Sequence, residues 1–291
     1  MTRLGLLAAA AALALSVGMA RAQPVLRAVG IENQYANVMA QIGGPYVQVS
    51  AIESDPNTDP HEFEISPQVA GELAAADVVV ENGLGYDAWA DKLLRGGHAE
   101  VISAQRVLNL PGTTQNPHLW YDPATMPAVA QAVAAAFAAK DPAHAAYYQA
   151  RAQAFAASLK PWRDELAQIK TLYGGTAVAV SEPVADDLLL AAGLKIATPF
   201  TLQAASMNGT DPAPQDVAFQ QNLLVSRQVA LYVFNLQVQD TLSDSFRALA
   251  QQSDLRVLGV FETMPKGAKS YQDWMHGETA ALAQALAASG H

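Results

Sequence analysis

Two histidines in this sequence each follow a proline in a polar loop. His61 lies in Asp59-Pro60-His61, and His118 lies in Asn116-Pro117-His118. Proline fixes its own φ angle and restricts the residue before it, so each imidazole is carried by a pre-organised backbone, as a ligand site requires. Either histidine alone would more often be an ordinary surface-loop residue, but two such pairs indicate a shared binding site.

Two glutamates come directly after apolar runs of strand length. Glu182 lies in Ser181-Glu182-Pro183, and Glu262 follows the run 257–261. Ligands of open α/β sheets bind outside the carboxyl ends of the strands, so both carboxylates are expected to face such a crevice. Each could instead be an acid that interacts with the dipole of the helix that follows it, and Thr263 is a neighbouring polar alternative to Glu262.

Two imidazoles and two carboxylates form a nitrogen and oxygen donor set suited to Mn²⁺, Zn²⁺ or Fe²⁺. The chain has no cysteine, which excludes disulfides and thiolate metal sites. Four protein ligands would complete the coordination shell of a tetrahedral ion and leave no open position for a reacting water, which favours transport over hydrolysis. The alternatives are a metal-dependent hydrolase that uses the same cluster, a receptor for an iron chelate or an organic solute, and a metal-free scaffold.

The elements that position these residues alternate between strand and helix patterns, which predicts an α/β fold with largely parallel sheets. The first series has predicted strands at 25–31, 47–52 and 78–81 and predicted helices at 34–42, 67–75 and 86–94. The second has predicted strands at 177–181, 231–235 and 257–261 and predicted helices at 184–192 and 271–288.

A helix-favouring stretch separates the two series and runs from Ala143 to Thr171. Asp141-Pro142 precedes it, and Pro161 should kink or interrupt it. This helix is too long for an ordinary crossover and could run along both lobes.

The first 22 residues have the pattern of a secretory signal peptide. Arg3 precedes an apolar stretch, and Ala20-Arg21-Ala22 has the small-x-small form of a cleavage site, so we expect the mature chain to begin at Gln23. With no cysteine available for lipid attachment, we expect a soluble periplasmic protein. A net charge of −10 argues against a general nucleic-acid binder, because such proteins need a basic face.

The sequence resembles the metal-binding receptors of ABC importers for zinc and manganese over nearly the whole mature chain. The segments that carry the resemblance are 59–64, 76–85, 116–120, 181–183, 232–237, 262–265 and 271–275. The resemblance implies two lobes, each a mostly parallel sheet flanked by helices, joined by one long rigid helix. We therefore predict an N-terminal lobe at 23–141, a linking helix at 142–172 and a C-terminal lobe at 173–291.

In that family the first two histidines are metal ligands, which corresponds to His61 and His118 here. The third ligand is a histidine in typical zinc receptors and a glutamate in typical manganese receptors, and this chain has Glu182. The fourth is usually an aspartate, whereas this chain offers Glu262, one methylene longer. The resemblance implies a monomeric, non-enzymatic receptor that carries one Zn²⁺ or Mn²⁺, with Fe²⁺ as a further option, to a membrane ABC permease.

The same resemblance suggests supporting roles for residues near the ligands. Asn116, Trp120 and Gln237 are expected to hold the ligands or line the cleft, although Trp120 could simply be a core residue. The other histidines are predicted not to bind metal: His98, His144, His276 and His291.

Overall fold

Two sheets, each of four parallel strands, form the centres of two lobes in a computed structural model that describes residues 25–55, 63, 65–238 and 240–290. The strand order is β2-β1-β3-β4 in the first sheet and β6-β5-β7-β8 in the second, so the two lobes repeat one topology. The strands are β1 Leu26–Glu32, β2 Val47–Glu53, β3 Val78–Glu81, β4 Glu100–Ser103, β5 Ala177–Val180, β6 Lys195–Ile196, β7 Leu231–Asn235 and β8 Arg256–Val260. The predicted fold class is confirmed, whereas the predicted signal peptide at 1–22 lies outside the described residues.

Helices flank both sheets. The N-terminal lobe has α1 Asn33–Gly43, α2 Pro67–Ala75, α3 Asp91–Leu94, α4 Ala104–Val107 and α5 Thr125–Lys140. The remaining helices are α6 Ala145–Ser158, α7 Lys160–Tyr173, α8 Asp186–Ala191, α9 Phe200–Met207, α10 Pro214–Val225, α11 Thr241–Gln252 and α12 Tyr271–Ala287. Because parallel sheets are covered on both faces, central strands such as β3 read as continuous buried valines.

The stretch predicted to link the lobes forms two consecutive helices, α6 and α7. They meet at Leu159, and Pro161 lies in the first turn of α7, so the chain is interrupted where the proline predicts. Helix α6 packs against α5, and α7 packs against α12. The Trp162 indole donates a hydrogen bond of 2.9 Å to the Thr279 hydroxyl. The pair of helices therefore contacts elements of both lobes.

The predicted helix at 86–94 is wrong over most of its length, because only Asp91–Leu94 is helical. The Asp87 carboxylate turns back and accepts hydrogen bonds from the backbone N–H groups of Asn82 and Gly83, at 2.6 and 3.0 Å. A short acidic side chain that bonds to nearby backbone in this way favours turns over helix.

Residues of α12 bring the lobes together. The Tyr271 hydroxyl donates to the Trp120 carbonyl at 2.6 Å, and Trp274 packs edge-on against Tyr121, with ring centroids 5.4 Å apart. All four side chains are buried. None of the helices in the described ranges is long and apolar enough to cross a membrane.

Candidate metal site

His118 and Glu262 meet between the two lobes. His118 precedes a short 3₁₀ helix at Leu119–Tyr121 in the N-terminal lobe, and Glu262 follows strand β8 of the C-terminal lobe. The His118 Nε2 atom lies 3.3 Å from Glu262 Oε1, and both side chains are fully buried. The structure thus brings together two of the four residues predicted as ligands.

Asn116 fixes the orientation of the His118 ring. Its Oδ1 atom accepts the backbone N–H of His118 at 3.0 Å and lies 2.8 Å from the ring Nδ1. Because an amide oxygen can only accept hydrogen bonds, Nδ1 carries a proton, and Nε2 is the ring nitrogen that faces Glu262. This is the arrangement in which a histidine binds a metal through Nε2.

The Nε2 atom of His118 faces a carboxylate oxygen of Glu262 at 3.3 Å inside a buried site. An imidazole nitrogen and a carboxylate oxygen can both act as ligands of a cation that lies between them. The pair is therefore suited to share a positive ion.

Other polar side chains hold Glu262 in place. The Tyr86 hydroxyl donates to Oε1 at 2.7 Å, and the Asn235 amide donates to Oε2 at 2.7 Å. The Gln237 carbonyl oxygen accepts the backbone N–H groups of Glu262 and Thr263, each at 2.8 Å. The expected supporting role of Gln237 is thus one of positioning the backbone that carries Glu262.

Glu182 is also buried, with 3% of its surface exposed, in the segment that follows strand β5. The neighbouring Ser181 ties this segment to the next strand, because its hydroxyl accepts the backbone N–H of Asn235 at 3.2 Å. Strands β5 and β7 are adjacent and parallel, so Glu182 and Asn235 lie at the same edge of the sheet.

His61 lies outside the described residues, so its role as a ligand stays a prediction. Within the part of the chain that the structure describes, no three His, Asp or Glu side chains are grouped closely enough to hold a metal ion. A complete four-ligand site at His61, His118, Glu182 and Glu262 is accordingly a hypothesis about all four residues.

Burial controls the ionisation of the surrounding groups. Burial, and then the nearby Glu262 carboxylate, raises the pKa of Tyr86 well above its ordinary range, so the phenol stays protonated and acts as a donor. Burial raises the pKa of Asp187 to about 6, and this residue of α8 accepts a hydrogen bond of 3.3 Å from the Asn116 amide. Asn116 therefore links His118 to the opposite lobe.

The loop Asn82-Gly83-Leu84-Gly85 brings Tyr86 to the site, and one of its glycines is required there. Gly83 has a φ of +86°, and a Cβ atom on it would lie 2.8 Å from the Ser103 hydroxyl oxygen. The backbone thus makes a close approach at Gly83, whereas a Cβ on Gly85 would meet no atom within 4 Å.

Sequence reasoning missed two contacts of Glu262. Tyr86 was assigned to a helix, although its ring packs against His118 and Trp120 at centroid distances of 5.8 and 5.1 Å. Asn235 could have been found from its position at the end of a strand, at the same sheet edge as Glu182. Trp120 is fully buried, as expected for a core residue, and also packs on the His118 ring at 5.5 Å.

Comparison with known proteins finds metal-binding receptors. The family model described as zinc-uptake complex component A, periplasmic (ZnuA) matches residues 32–285. The metal ABC transporter substrate-binding lipoprotein SloC of Streptococcus mutans is 27% identical over 150 residues, which cover 46% of this chain and 49% of SloC. The iron-binding protein YfeA of Yersinia pestis is 26% identical over 146 residues, 46% of each protein. The chain therefore matches about half the length of these curated relatives.

A solved structure confirms the fold over most of the chain. The substrate-binding protein FpvC of Pseudomonas aeruginosa, determined in complex with Mn²⁺, superposes with a TM-score of 0.76. The superposition covers 91% of this chain and 99% of FpvC, at 20% sequence identity. At that identity the likeness establishes the two-lobed architecture alone.

Proposed function

Since the chain belongs to the family of zinc-uptake complex component A, periplasmic (ZnuA), we propose that it is a periplasmic receptor for one divalent transition-metal ion. It captures the ion between its two lobes and delivers it to the permease of an ABC importer. The ion is the cargo of the protein, and the proposed ligands are His61, His118, Glu182 and Glu262.

The contact between His118 and Glu262 carries this proposal. An imidazole nitrogen and a carboxylate oxygen face each other at 3.3 Å in a fully buried site that joins two lobes. An ion bound there contacts both lobes at once, so its binding energy favours the arrangement in which the lobes are together. This is the coupling that a transport receptor needs in order to signal its loaded state.

The donor set fits Zn²⁺ or Mn²⁺, with Fe²⁺ as a further option. Carboxylates favour Mn²⁺ and Fe²⁺ relative to an all-histidine site, while the general affinity order places Zn²⁺ above both. The names of similar proteins cover the same range, with zinc uptake for the family, iron for YfeA and Mn²⁺ for FpvC. Affinity should fall as the pH is lowered, because protons compete with the metal for the imidazole nitrogens.

A binding role is preferred over the hydrolase alternative. Four protein ligands in a buried site leave no position for a reacting water, and the relatives named above lend the hydrolase no support. In this account the chain acts as a freely diffusing periplasmic monomer with no nucleic-acid partner.

Thermal unfolding of the full chain with and without metal tests the proposal. A ligand that binds only the folded state raises stability by RT ln(1 + [L]/Kd), so Zn²⁺ or Mn²⁺ should raise the melting temperature. The His118→Ala variant should lose this shift, and the matched variant His276→Ala should keep it, because His276 is an exposed histidine paired with Glu165. No shift in the wild-type chain at saturating metal would overturn the proposal.

Competition between the two metals then decides which one the receptor prefers. The apo-chain is titrated with Mn²⁺ in the presence of Zn²⁺, and the result is compared with the metal found after native purification. A site that imposes no special coordination geometry should release Mn²⁺ to Zn²⁺, following the general affinity order.

A further inference from the structure

Three amide side chains on one face of α1 cross to the C-terminal lobe. Asn33, Asn37 and Gln41 are spaced four residues apart, which places them on one face of the helix. All three form hydrogen bonds with the segment 264–272, which runs from just after Glu262 to the first turn of α12. We refer to these three residues as the amide row.

The contact nearest the proposed ligand is a reciprocal pair of hydrogen bonds. The Asn33 amide nitrogen donates to the Met264 carbonyl at 2.8 Å, and the Asn33 Oδ1 atom accepts the Met264 backbone N–H at 2.9 Å. A side-chain amide presents an N–H donor and a carbonyl acceptor side by side, so it can pair with the backbone C=O and N–H of one residue as a neighbouring strand would. Met264 follows Glu262 by two residues, so this pair constrains the segment that carries Glu262.

Three successive backbone N–H groups are fixed from two sides. Gln237 of the C-terminal lobe accepts those of Glu262 and Thr263, and Asn33 of the N-terminal lobe accepts that of Met264. The N-terminal lobe, which supplies His118, therefore also holds the backbone that presents Glu262.

The other two members of the amide row act further along the chain. Asn37 Oδ1 accepts the Tyr271 backbone N–H at 3.0 Å, and Gln41 pairs with Gln272 through a 2.9 Å hydrogen bond. These contacts hold the start of α12, seven or more residues beyond Met264. They contribute to the contact between the lobes and do not involve residues 262–264.

We propose that Asn33 is a positioning residue for the metal site, which sets the distance between Glu262 and His118 through the backbone of Met264. This inference rests on the proposed function and extends it, because it makes ligand geometry depend on a contact between the lobes. Asn37 lies one helical turn away on the same face. It contributes to the contact between the lobes and has no effect on the ligand geometry.

The test compares Asn33→Ala with Asn37→Ala in the full chain, with Co²⁺ as the probe. The intensity of the Co²⁺ visible bands reports the geometry around the ion, and titration of those bands gives its affinity. Removing a group that supports a ligand typically weakens metal binding by about 10- to 100-fold. We expect a loss of about tenfold and an altered spectrum for Asn33→Ala, and an unchanged affinity and spectrum for Asn37→Ala.

Unfolding of the apo-chains separates positioning from general stability. Both variants lose hydrogen bonds between lobes, so both should melt at lower temperature than the wild type, while only Asn33→Ala should change the Co²⁺ spectrum.

The outcomes distinguish this inference from the proposed function. A wild-type chain that binds no Co²⁺, Zn²⁺ or Mn²⁺ would overturn both. If the wild-type chain binds Co²⁺ and Asn33→Ala shows the same affinity and spectrum, the positioning role alone is overturned. The same holds if Asn37→Ala changes the affinity and the spectrum as much as Asn33→Ala does.

Discussion

His118 Nε2 lies 3.3 Å from Glu262 Oε1, although the two residues are 144 positions apart and belong to different lobes. Each is held by a separate set of groups. Asn116 orients the imidazole, while Tyr86 and Asn235 hold the carboxylate oxygens. Because Tyr86 belongs to the N-terminal lobe and Asn235 to the C-terminal lobe, the Glu262 carboxylate is held from both lobes.

Tyr86→Phe should weaken metal binding while leaving the fold intact. The phenylalanine ring keeps the packing against His118 and Trp120 but loses the 2.7 Å hydrogen bond to Glu262. We expect a loss of about tenfold in Zn²⁺ affinity, measured by competition with a chromophoric chelator. As a control, Tyr148→Phe removes a hydroxyl that bonds to Asp141, and it should bind Zn²⁺ like the wild type. Equal affinities for the two variants would contradict the role of Tyr86.

Asn116→Ala should free the His118 ring to change its tautomer. Without the Oδ1 acceptor, Nδ1 no longer has a fixed partner, and Nε2 carries the lone pair in only part of the molecules. We expect a fall of about 10- to 100-fold in metal affinity. Nitrogen NMR of the imidazole should show a single tautomer in the wild type and a mixture in the variant.

The matched control for Asn116 is Asn208→Ala. The side chain of this exposed asparagine donates to the Ala204 carbonyl at the end of α9, in the C-terminal half of the chain, so its loss should leave both the His118 tautomer and the metal affinity unchanged. A wild-type ring with its proton on Nε2 would count against the orientation inferred for His118.

Asp186→Asn should change how stability depends on pH. Burial, and then the nearby Asp187, raises the pKa of Asp186 to about 7. The folded chain therefore keeps this proton at pH values where the unfolded chain has lost it, so stability falls as the pH rises from about 4 to about 7. An asparagine cannot ionise, and the variant should gain on the order of 1 to 4 kcal/mol over the wild type above about pH 7.

Urea unfolding at about pH 4 and about pH 8, with a chelator present, measures this effect. The wild type and Asp186→Asn should differ little at the lower pH, where Asp186 is protonated in the folded chain. Asp211 is exposed, so Asp211→Asn should have the same stability as the wild type at both pH values. A variant less stable than the wild type at the higher pH would contradict the assignment.

Much of the fold follows from patterns that the sequence carries locally. Buried parallel strands are continuous apolar runs, and the predicted bounds at Val78–Glu81 and Leu231–Asn235 agree with the structure. The edge strands Glu100–Ser103 and Lys195–Ile196 were missed, because they are short and partly exposed and have no such pattern. The predicted helix at 86–94 failed because the Asp87 side chain competes for backbone donors, which periodicity does not register.

The site was predictable to the extent that its residues stand at strand ends or beside proline. Glu182, Glu262 and His118 are buried as a binding role requires. The contacts of Tyr86 and Asn33 depend on how the two lobes pack, and no local pattern encodes a hydrogen bond between residues 176 or 231 positions apart. His61 lies beyond the described part of the chain, so its role continues to depend on the sequence alone.

The most direct measurement is a crystal structure of the Zn²⁺-loaded full chain, with anomalous data collected at the zinc edge. We expect one strong anomalous peak between the lobes, about 2.0 to 2.2 Å from His118 Nε2 and from a Glu262 oxygen, with His61 and Glu182 as the other two ligands. A peak that is absent from this position, or that is bound by residues of one lobe only, would contradict this expectation.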